Sequence, residues 1–122
     1  MLDHVSIHVA DLEVAKMFYL AALEPLGYGV VMELPEWKVI GLGVGGKADF
    51  WILADGTSKG VHIAFKAENR KAVDDFYAAA ITAGGKDNGK PGLRPEYHVD
   101  YYGAFVHDPD GNNIEAVTRK PE

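Results

Sequence analysis

The sequence of 122 residues contains no cysteine. This absence excludes disulfides, thiolate nucleophiles and metal sites that depend on sulfur ligands. It leaves histidine and the carboxylates as the strong metal ligands, and it is consistent with a reducing compartment. We therefore expect a cytoplasmic protein whose metal chemistry, if any, uses nitrogen and oxygen donors.

Long hydrophobic runs and basic clusters are also missing from the sequence. No stretch approaches the roughly 20 apolar residues of a membrane-spanning helix, and no basic region followed by an apolar segment opens the chain as in a signal peptide. Twelve basic and 18 acidic residues give a formal net charge of −6, without the basic patch that a phosphate backbone requires. Neither a membrane nor a nucleic acid is expected as a partner.

An internal repeat is the strongest pattern that the sequence contains. Sliding the chain by 58 positions aligns residues 2–28 with residues 60–86 without a gap. Six pairs are identical, where about two are expected by chance: His4 with His62, Phe18 with Phe76, Tyr19 with Tyr77, Ala21 with Ala79, Ala22 with Ala80 and Gly27 with Gly85. The repeat predicts two equivalent modules, about 1–56 and 59–122, within one domain spanning residues 1–122. It also places a histidine on two equivalent strands.

The first module reads as a strand, a helix and three further strands. Apolar and polar residues alternate over residues 3–9, as in a half-buried strand. Asp11 suits the N-cap of a helix that runs to about Leu23. Three strands are then predicted at 28–34, 37–44 and 48–53, the last two joined by a glycine-rich hairpin.

The second module repeats this plan. A strand is predicted at 60–67, and Asn69 is the expected cap of a helix over about 70–83. Residues 84–100 are rich in glycine, proline and charge, which favours a long loop with at most one short strand. Two strands at 101–107 and 113–118, joined by the proline-containing turn at 108–111, complete the module.

Three motifs follow one another along the chain. They are Leu2-Asp3-His4-Val5 with Val9-Ala10-Asp11-Leu12 and Phe18-Tyr19, then Val61-His62-Ile63-Ala64-Phe65, then Asp108-Pro109-Asp110-Gly111-Asn112-Asn113-Ile114-Glu115. In this order the motifs resemble the vicinal oxygen chelate superfamily, which includes glyoxalase, bleomycin-resistance proteins, fosfomycin-modifying enzymes and extradiol dioxygenases. The resemblance implies an α+β fold in which two tandem βαβββ modules form a curled mixed sheet around a cleft.

By this resemblance, His4, His62 and Glu115 would ligate a divalent metal ion. Two imidazoles and one carboxylate suit Ni, Zn, Mn or Fe, and they leave open positions at which adjacent oxygens of a substrate can bind. The resemblance therefore implies a glyoxalase-like metalloenzyme, a lyase or isomerase acting on a small molecule with vicinal oxygens. It also implies a homodimer, with the modules paired either within one chain or between two chains.

A fourth ligand is left open by the sequence. In glyoxalase, the last strand of the first module supplies a glutamate equivalent to Glu115. Here the segment 47–52 contains no glutamate, and the short hairpin before it leaves either Phe50 or Asp49 at that position. Phe50 would leave a site with three protein ligands, whereas Asp49 could add a fourth carboxylate.

Other polar and aromatic residues are candidates for contact with the substrate. His98 and Tyr101 precede the final hairpin, and similar residues protonate the bound intermediate in extradiol dioxygenases. We therefore include His98 and Tyr101, with Glu115, among the candidate catalytic residues, although Phe105 stands where that branch has a tyrosine. His8 shares the polar face of its strand with His4, but at roughly 13 Å it lies too far along the strand to bind the same ion.

Two alternative functions are compatible with the same fold. A metal-free protein of the bleomycin-resistance type would bind a small molecule or antibiotic in the cleft, although its ligand positions are usually not filled by ligating residues. An Fe(II) extradiol dioxygenase would use the same three ligands. The fosfomycin-modifying branch is disfavoured, because the sequence shows no clear basic cluster near Glu115 for a phosphonate.

Overall fold

The computed structural model of the protein describes residues 1–58 and 60–122; Lys59, with which the second module was predicted to begin, lies outside this range. Each module forms a four-stranded sheet with one helix, as the repeat predicts. In chain order the elements are β1 (Val5–His8), α1 (Leu12–Leu23), β2 (Gly29–Leu34), β3 (Val39–Val44), β4 (Lys47–Leu53), β5 (His62–Lys66), α2 (Arg70–Thr82), β6 (Lys86–Leu93), β7 (Tyr102–His107) and β8 (Asn113–Thr118).

Both helices begin at the predicted caps. The carboxylate of Asp11 accepts a hydrogen bond from the backbone N–H of Val14 at 3.1 Å, and the side-chain oxygen of Asn69 accepts one from Ala72 at 2.9 Å. Each bond satisfies a backbone donor that the first helical turn leaves free. Among the described helices, none is long and apolar enough to cross a membrane.

The two sheets have the same strand order. In the first sheet the order is β1, β4, β3, β2, and in the second it is β5, β8, β7, β6. The first strand of each module runs parallel to the last one, and the remaining neighbours are antiparallel. The fold is therefore α+β, with two mixed sheets that do not close into one barrel, and β1 and β5 each lie at an edge of their sheet.

One hydrophobic core is shared by the two modules. Its aromatic rings pack edge to face, from Tyr19 on α1 to Phe50 on β4 with centroids 5.0 Å apart, and from Phe50 to Phe65 on β5 at 5.2 Å. Phe76 on α2 is also fully buried. Because Phe50 and Phe65 belong to different modules, the packing couples the two halves of the chain.

The prediction for residues 84–100 is wrong in one respect. Residues 86–93 form the eight-residue strand β6 rather than a loop with at most one short strand. This strand lies at the edge of the second sheet, and its register with β7 is interrupted on both sides of Gly89. An edge strand tolerates proline and glycine at such irregularities, so its composition resembles that of a loop.

Candidate metal centre

Strands β5 and β8 bring two of the predicted ligands together. In their parallel register Ala64 lies opposite Glu115, and since side chains alternate along a strand, His62 shares the face of Ala64. The Nε2 of His62 lies 2.8 Å from an Oε of Glu115. The structure thus places an imidazole and a carboxylate, which are 53 positions apart in the chain, in direct contact.

The two side chains differ sharply in their exposure to solvent. Glu115 is 1% exposed, whereas about half of the His62 side chain is exposed. The second carboxylate oxygen of Glu115 accepts a hydrogen bond from the hydroxyl of Tyr101. Burial, and secondly this hydrogen bond, raise the pKa of Tyr101 to about 12, so that at neutral pH the hydroxyl remains a donor that holds Glu115 in place.

The donor set of this pair fits a divalent metal ion. Nitrogen and carboxylate ligands bind such ions at about 2.0 to 2.2 Å, so neighbouring ligand atoms around one ion lie roughly 3 Å apart. The His62 and Glu115 donor atoms are already close to that spacing. Because Tyr101 holds one carboxylate oxygen, the other, beside His62, is the one that would bind an ion.

The structure does not bring His4 to this pair. His4 lies immediately before β1, and its Nδ1 is 2.8 Å from the carboxylate of Asp3. A carboxylate on one ring nitrogen is the usual support for a histidine that binds a metal through the other nitrogen. Among residues 1–58 and 60–122, however, no three histidine or carboxylate side chains of one chain are close enough to hold a single ion.

The strand registers identify the residue that is equivalent to Glu115. Val5 pairs with Phe50 in the first sheet, and its repeat partner Ile63 pairs with Ile114 in the second. Trp51 therefore corresponds to Glu115, and the prediction of Phe50 or Asp49 at this position is wrong. The cause lies before β3: Leu34 pairs with Val39 across a short connection, whereas the corresponding connection in the second module separates Leu93 from Tyr102 by four more positions. The repeat spacing of the first strands therefore does not extend to the last ones.

Trp51 makes a carboxylate ligand impossible at this position. Its ring lies over Gly41, where an added Cβ would come within 2.7 Å of the ring. At this equivalent position, the first module therefore has the aromatic side chain of Trp51 and the second module has the carboxylate of Glu115.

Asp49 lies beside His4 in a cavity of about 270 Å³ at the start of β1. One of its carboxylate oxygens accepts a hydrogen bond from Tyr28 at 3.1 Å, and the other is buried without a partner in the described part of the chain. The cavity is also lined by residues of β5, including Lys66. Asp49 is thus near His4, whereas the His62–Glu115 pair does not line this cavity.

The remaining candidates lie around the site or away from it. His98 is exposed in the segment between β6 and β7, and its Nδ1 accepts a hydrogen bond from the backbone of Asp100 at 3.0 Å. The ring of Phe105 lies 6.2 Å from that of His62. At the far end of β1, His8 is paired with Asp55 at the surface.

The expectation that no basic cluster lies near Glu115 is wrong, because the structure places two cations, Arg119 and Lys66, close to it. Arg119 lies over the ring of Tyr101, with its Cζ 5.1 Å from the ring centroid. Lys66 follows His62 and Ala64 on the same face of β5. Strand alternation could have identified Lys66, but the position of Arg119, just beyond the end of β8, becomes clear only once the register of β8 is known.

The comparisons with known proteins agree with this architecture. The model of the Glyoxalase/Bleomycin resistance protein/Dioxygenase superfamily matches residues 1–116. The chain belongs to this superfamily. A search of curated proteins found no match.

Solved structures of the superfamily share the fold. A glyoxalase/bleomycin resistance protein from Albidiferax ferrireducens T118 is 33% identical, the match covers 99% of both chains, and the TM-score is 0.82. A glyoxalase I mutant from Zea mays is 25% identical with a TM-score of 0.71, over 95% of this chain and 46% of the maize chain. The chain therefore spans about half the length of maize glyoxalase I.

Proposed function

We propose that the protein is a glyoxalase-type metalloenzyme, a lyase or isomerase whose small-molecule substrate chelates a divalent ion through adjacent oxygens. The observation that carries this proposal is the contact between His62 and the buried Glu115. A buried carboxylate is costly unless it is paired or binds a metal, and both residues stand at ligand positions of the superfamily motifs. We therefore assign His62 and Glu115 as metal ligands.

The third ligand in this proposal is His4 of a second copy of the chain. Within one chain His4 does not join the pair, yet about half of its side chain is exposed, as is that of His62. A two-fold homodimer would place His4 of each chain opposite the pair of the other, which gives two equivalent sites. The support for this arrangement is that each exposed imidazole faces out from its own chain.

The protein groups have separate roles in the proposed reaction. The ion would supply Lewis acidity to the bound oxygens. Tyr101 fixes the orientation of Glu115 through its hydrogen bond, and the ring of Phe105 lies beside that of His62. Because Trp51 stands where a second carboxylate would be, a glutamate base from the first module is absent, and the centre relies on the carboxylate of Glu115.

Metal binding tests this proposal directly. Protein purified without chelators should contain a divalent ion, and Ni, Mn, Fe or Zn at about 100 times its dissociation constant should raise the melting temperature by roughly 10 °C. Glu115→Gln and His62→Gln should abolish that increase. Glu36→Gln and His107→Gln serve as matched controls and should retain it.

The alternatives give different results in the same experiments. If no ion is found and none changes the melting temperature, the metalloenzyme proposal fails, and a metal-free binding protein becomes the better interpretation. Oxygen uptake with a catechol, lost in His98→Ala, would instead identify a dioxygenase.

A further inference from the structure

We propose that a basic cavity beside the candidate metal centre binds an oxyanionic group of the substrate, either a carboxylate or a phosphate. This inference rests on the proposed function, and it adds a substrate class to it. The basic cavity has a volume of about 510 Å³, and its lining consists of Ala64, Lys66, Val117, Thr118, Arg119 and Lys120.

The basic cavity adjoins the candidate metal centre through two shared elements. Ala64 in its lining lies directly opposite Glu115 in the register of β5 and β8. Arg119 in its lining packs on the ring of Tyr101, whose hydroxyl is bonded to Glu115. A small molecule bound at the metal centre could therefore extend into the cavity.

The charges around this cavity favour an anion. Lys66, Arg119 and Lys120 line it, and none of the acidic side chains in residues 1–58 and 60–122 does. Lys120 forms an ion pair with Glu68 at 3.0 Å, whereas among the described residues neither Lys66 nor Arg119 has a carboxylate within salt-bridge distance. Three cations therefore lie near two carboxylates, the exposed Glu68 and the buried Glu115, in a protein whose net charge is −6.

Arg119 is suited to recognise an oxyanion. Its guanidinium is held against the face of the Tyr101 ring, which leaves the N–H groups at its edge available. A guanidinium presents parallel donors that match a carboxylate or a phosphate, and because it is already positioned, less conformational entropy is lost on binding. Val117 and Ala64 provide apolar surface for a short carbon chain between the anion and the metal-binding oxygens.

The occupant implied by these observations is a small molecule with two polar ends. Adjacent oxygens at one end would bind the ion, and an oxyanion at the other end would bind Arg119 and Lys66. A cavity of this size lies within the range of small-molecule sites. The local positive charge would also attract such a substrate to an otherwise acidic protein.

A titration of metal-free protein tests the basic cavity independently of the metal centre. Inorganic phosphate, and separately acetate, would be added at constant ionic strength while amide NMR shifts are recorded. We expect saturable shifts at Val117, Thr118 and Arg119. Lys66→Gln and Arg119→Gln should each weaken binding about tenfold, whereas Arg119→Lys should retain part of the affinity.

Lys71→Gln is the matched control, because Lys71 is an exposed lysine on α2 that does not line the basic cavity. It should bind phosphate like the wild type. The inference is overturned if the wild type shows no saturable shift, if Arg119→Gln binds normally, or if Lys71→Gln weakens binding equally. Phosphate binding without any metal binding would support the basic cavity and refute the proposed function. Metal binding without phosphate binding would support the proposed function and refute the basic cavity.

Discussion

Asp108 is a carboxylate buried at the turn between β7 and β8, with 4% of its surface exposed. One oxygen accepts hydrogen bonds from the backbone of Asp110 and Asn112, at 2.9 and 2.8 Å. The other accepts bonds from the Asn112 side chain at 3.0 Å and from the hydroxyl of Tyr19. Because each of its two oxygens accepts two hydrogen bonds, the carboxylate is tolerated in the interior. It also ties α1 to a turn of the other module.

Replacing Tyr19 with phenylalanine should lower the free energy of unfolding by about 1 to 3 kcal/mol, because a buried hydrogen bond to a charged group is lost while the carboxylate stays buried. Chemical denaturation at pH 7 measures this change. Tyr97→Phe, at an exposed position, should leave the stability unchanged. An equal loss in both variants would show that the effect does not come from the Asp108 network.

The same tyrosine should make stability fall at alkaline pH. Burial, and secondly the charge of Asp108, raise the pKa of Tyr19 well above 10 in the folded state. Above pH 10 the unfolded chain therefore loses a proton that the folded chain retains, and this contribution to stability disappears as the pH rises. Between pH 10 and 11 the unfolding free energy should fall by about 1 kcal/mol more in the wild type than in Tyr19→Phe. Parallel pH profiles of the two proteins would contradict this.

At the level of residues, the sequence predicted which side chains of the second module lie together better than it predicted the strand register of the first module. His62, Glu115 and Tyr101 were identified from motifs, and the structure brings them together. Trp51 was not assigned to the ligand position, because a turn of different length shifts β4 against β1 by an amount that the repeat does not encode. Likewise, the contact of Arg119 with Tyr101 depends on the direction of the chain just after β8, which the sequence pattern does not specify.

The secondary-structure elements were predicted closely wherever side chains alternate or a cap is present. Both caps are correct, and seven of the eight strands that the structure describes fall where apolar patterning places them. The exception is β6, whose pattern is broken by Gly89 and Pro91. At the edge of a sheet the backbone pairs on only one side, so such a strand forms without the residue preferences that mark an internal one.

The two caps allow a matched test of the helices. Asp11→Ala and Asn69→Ala should each lower the unfolding free energy by about 1 kcal/mol, because the first turn loses its side-chain acceptor. Asp11→Asn and Asn69→Asp keep an acceptor and should stay within a few tenths of the wild type. Thermal or chemical denaturation measures all four variants, and an alanine variant as stable as its conservative partner would contradict the capping role.

At the scale of the whole molecule, the proposed ligands of the metal centre are divided between the two modules. His4 belongs to the first module and the His62–Glu115 pair to the second, while the shared aromatic core fixes the modules against each other. The repeat predicts this division, but it does not predict which copies of the modules face each other. Whether the modules face each other within one chain or between two chains depends on the fit of their surfaces, which the residue pattern of one chain does not specify.

Mixing two inactive variants tests whether the site forms between chains. In His4→Ala one ligand is lost, and in Glu115→Gln another, so neither homodimer should bind metal tightly. In a mixed dimer, His4 of one chain would meet the intact pair of the other. An equimolar mixture that exchanges chains should therefore recover roughly a quarter of the wild-type sites, measured as bound metal per protein. No recovery after verified exchange would place all the ligands within one chain.

The bond between Tyr19 and Asp108 makes the duplicated halves unequal. Burial, and secondly the neighbouring Asp87 of its own half, raise the pKa of Tyr77, the counterpart of Tyr19, whereas Tyr19 donates a hydrogen bond to Asp108 of the other half. The first half has the dipeptide Gly45-Gly46, rather than an acid, in its corresponding turn. If two N-terminal fragments associated with each other, neither Tyr19 hydroxyl would find its acceptor, because Asp108 belongs to the C-terminal half. Separate fragments should therefore assemble as pairs of one N-terminal and one C-terminal piece.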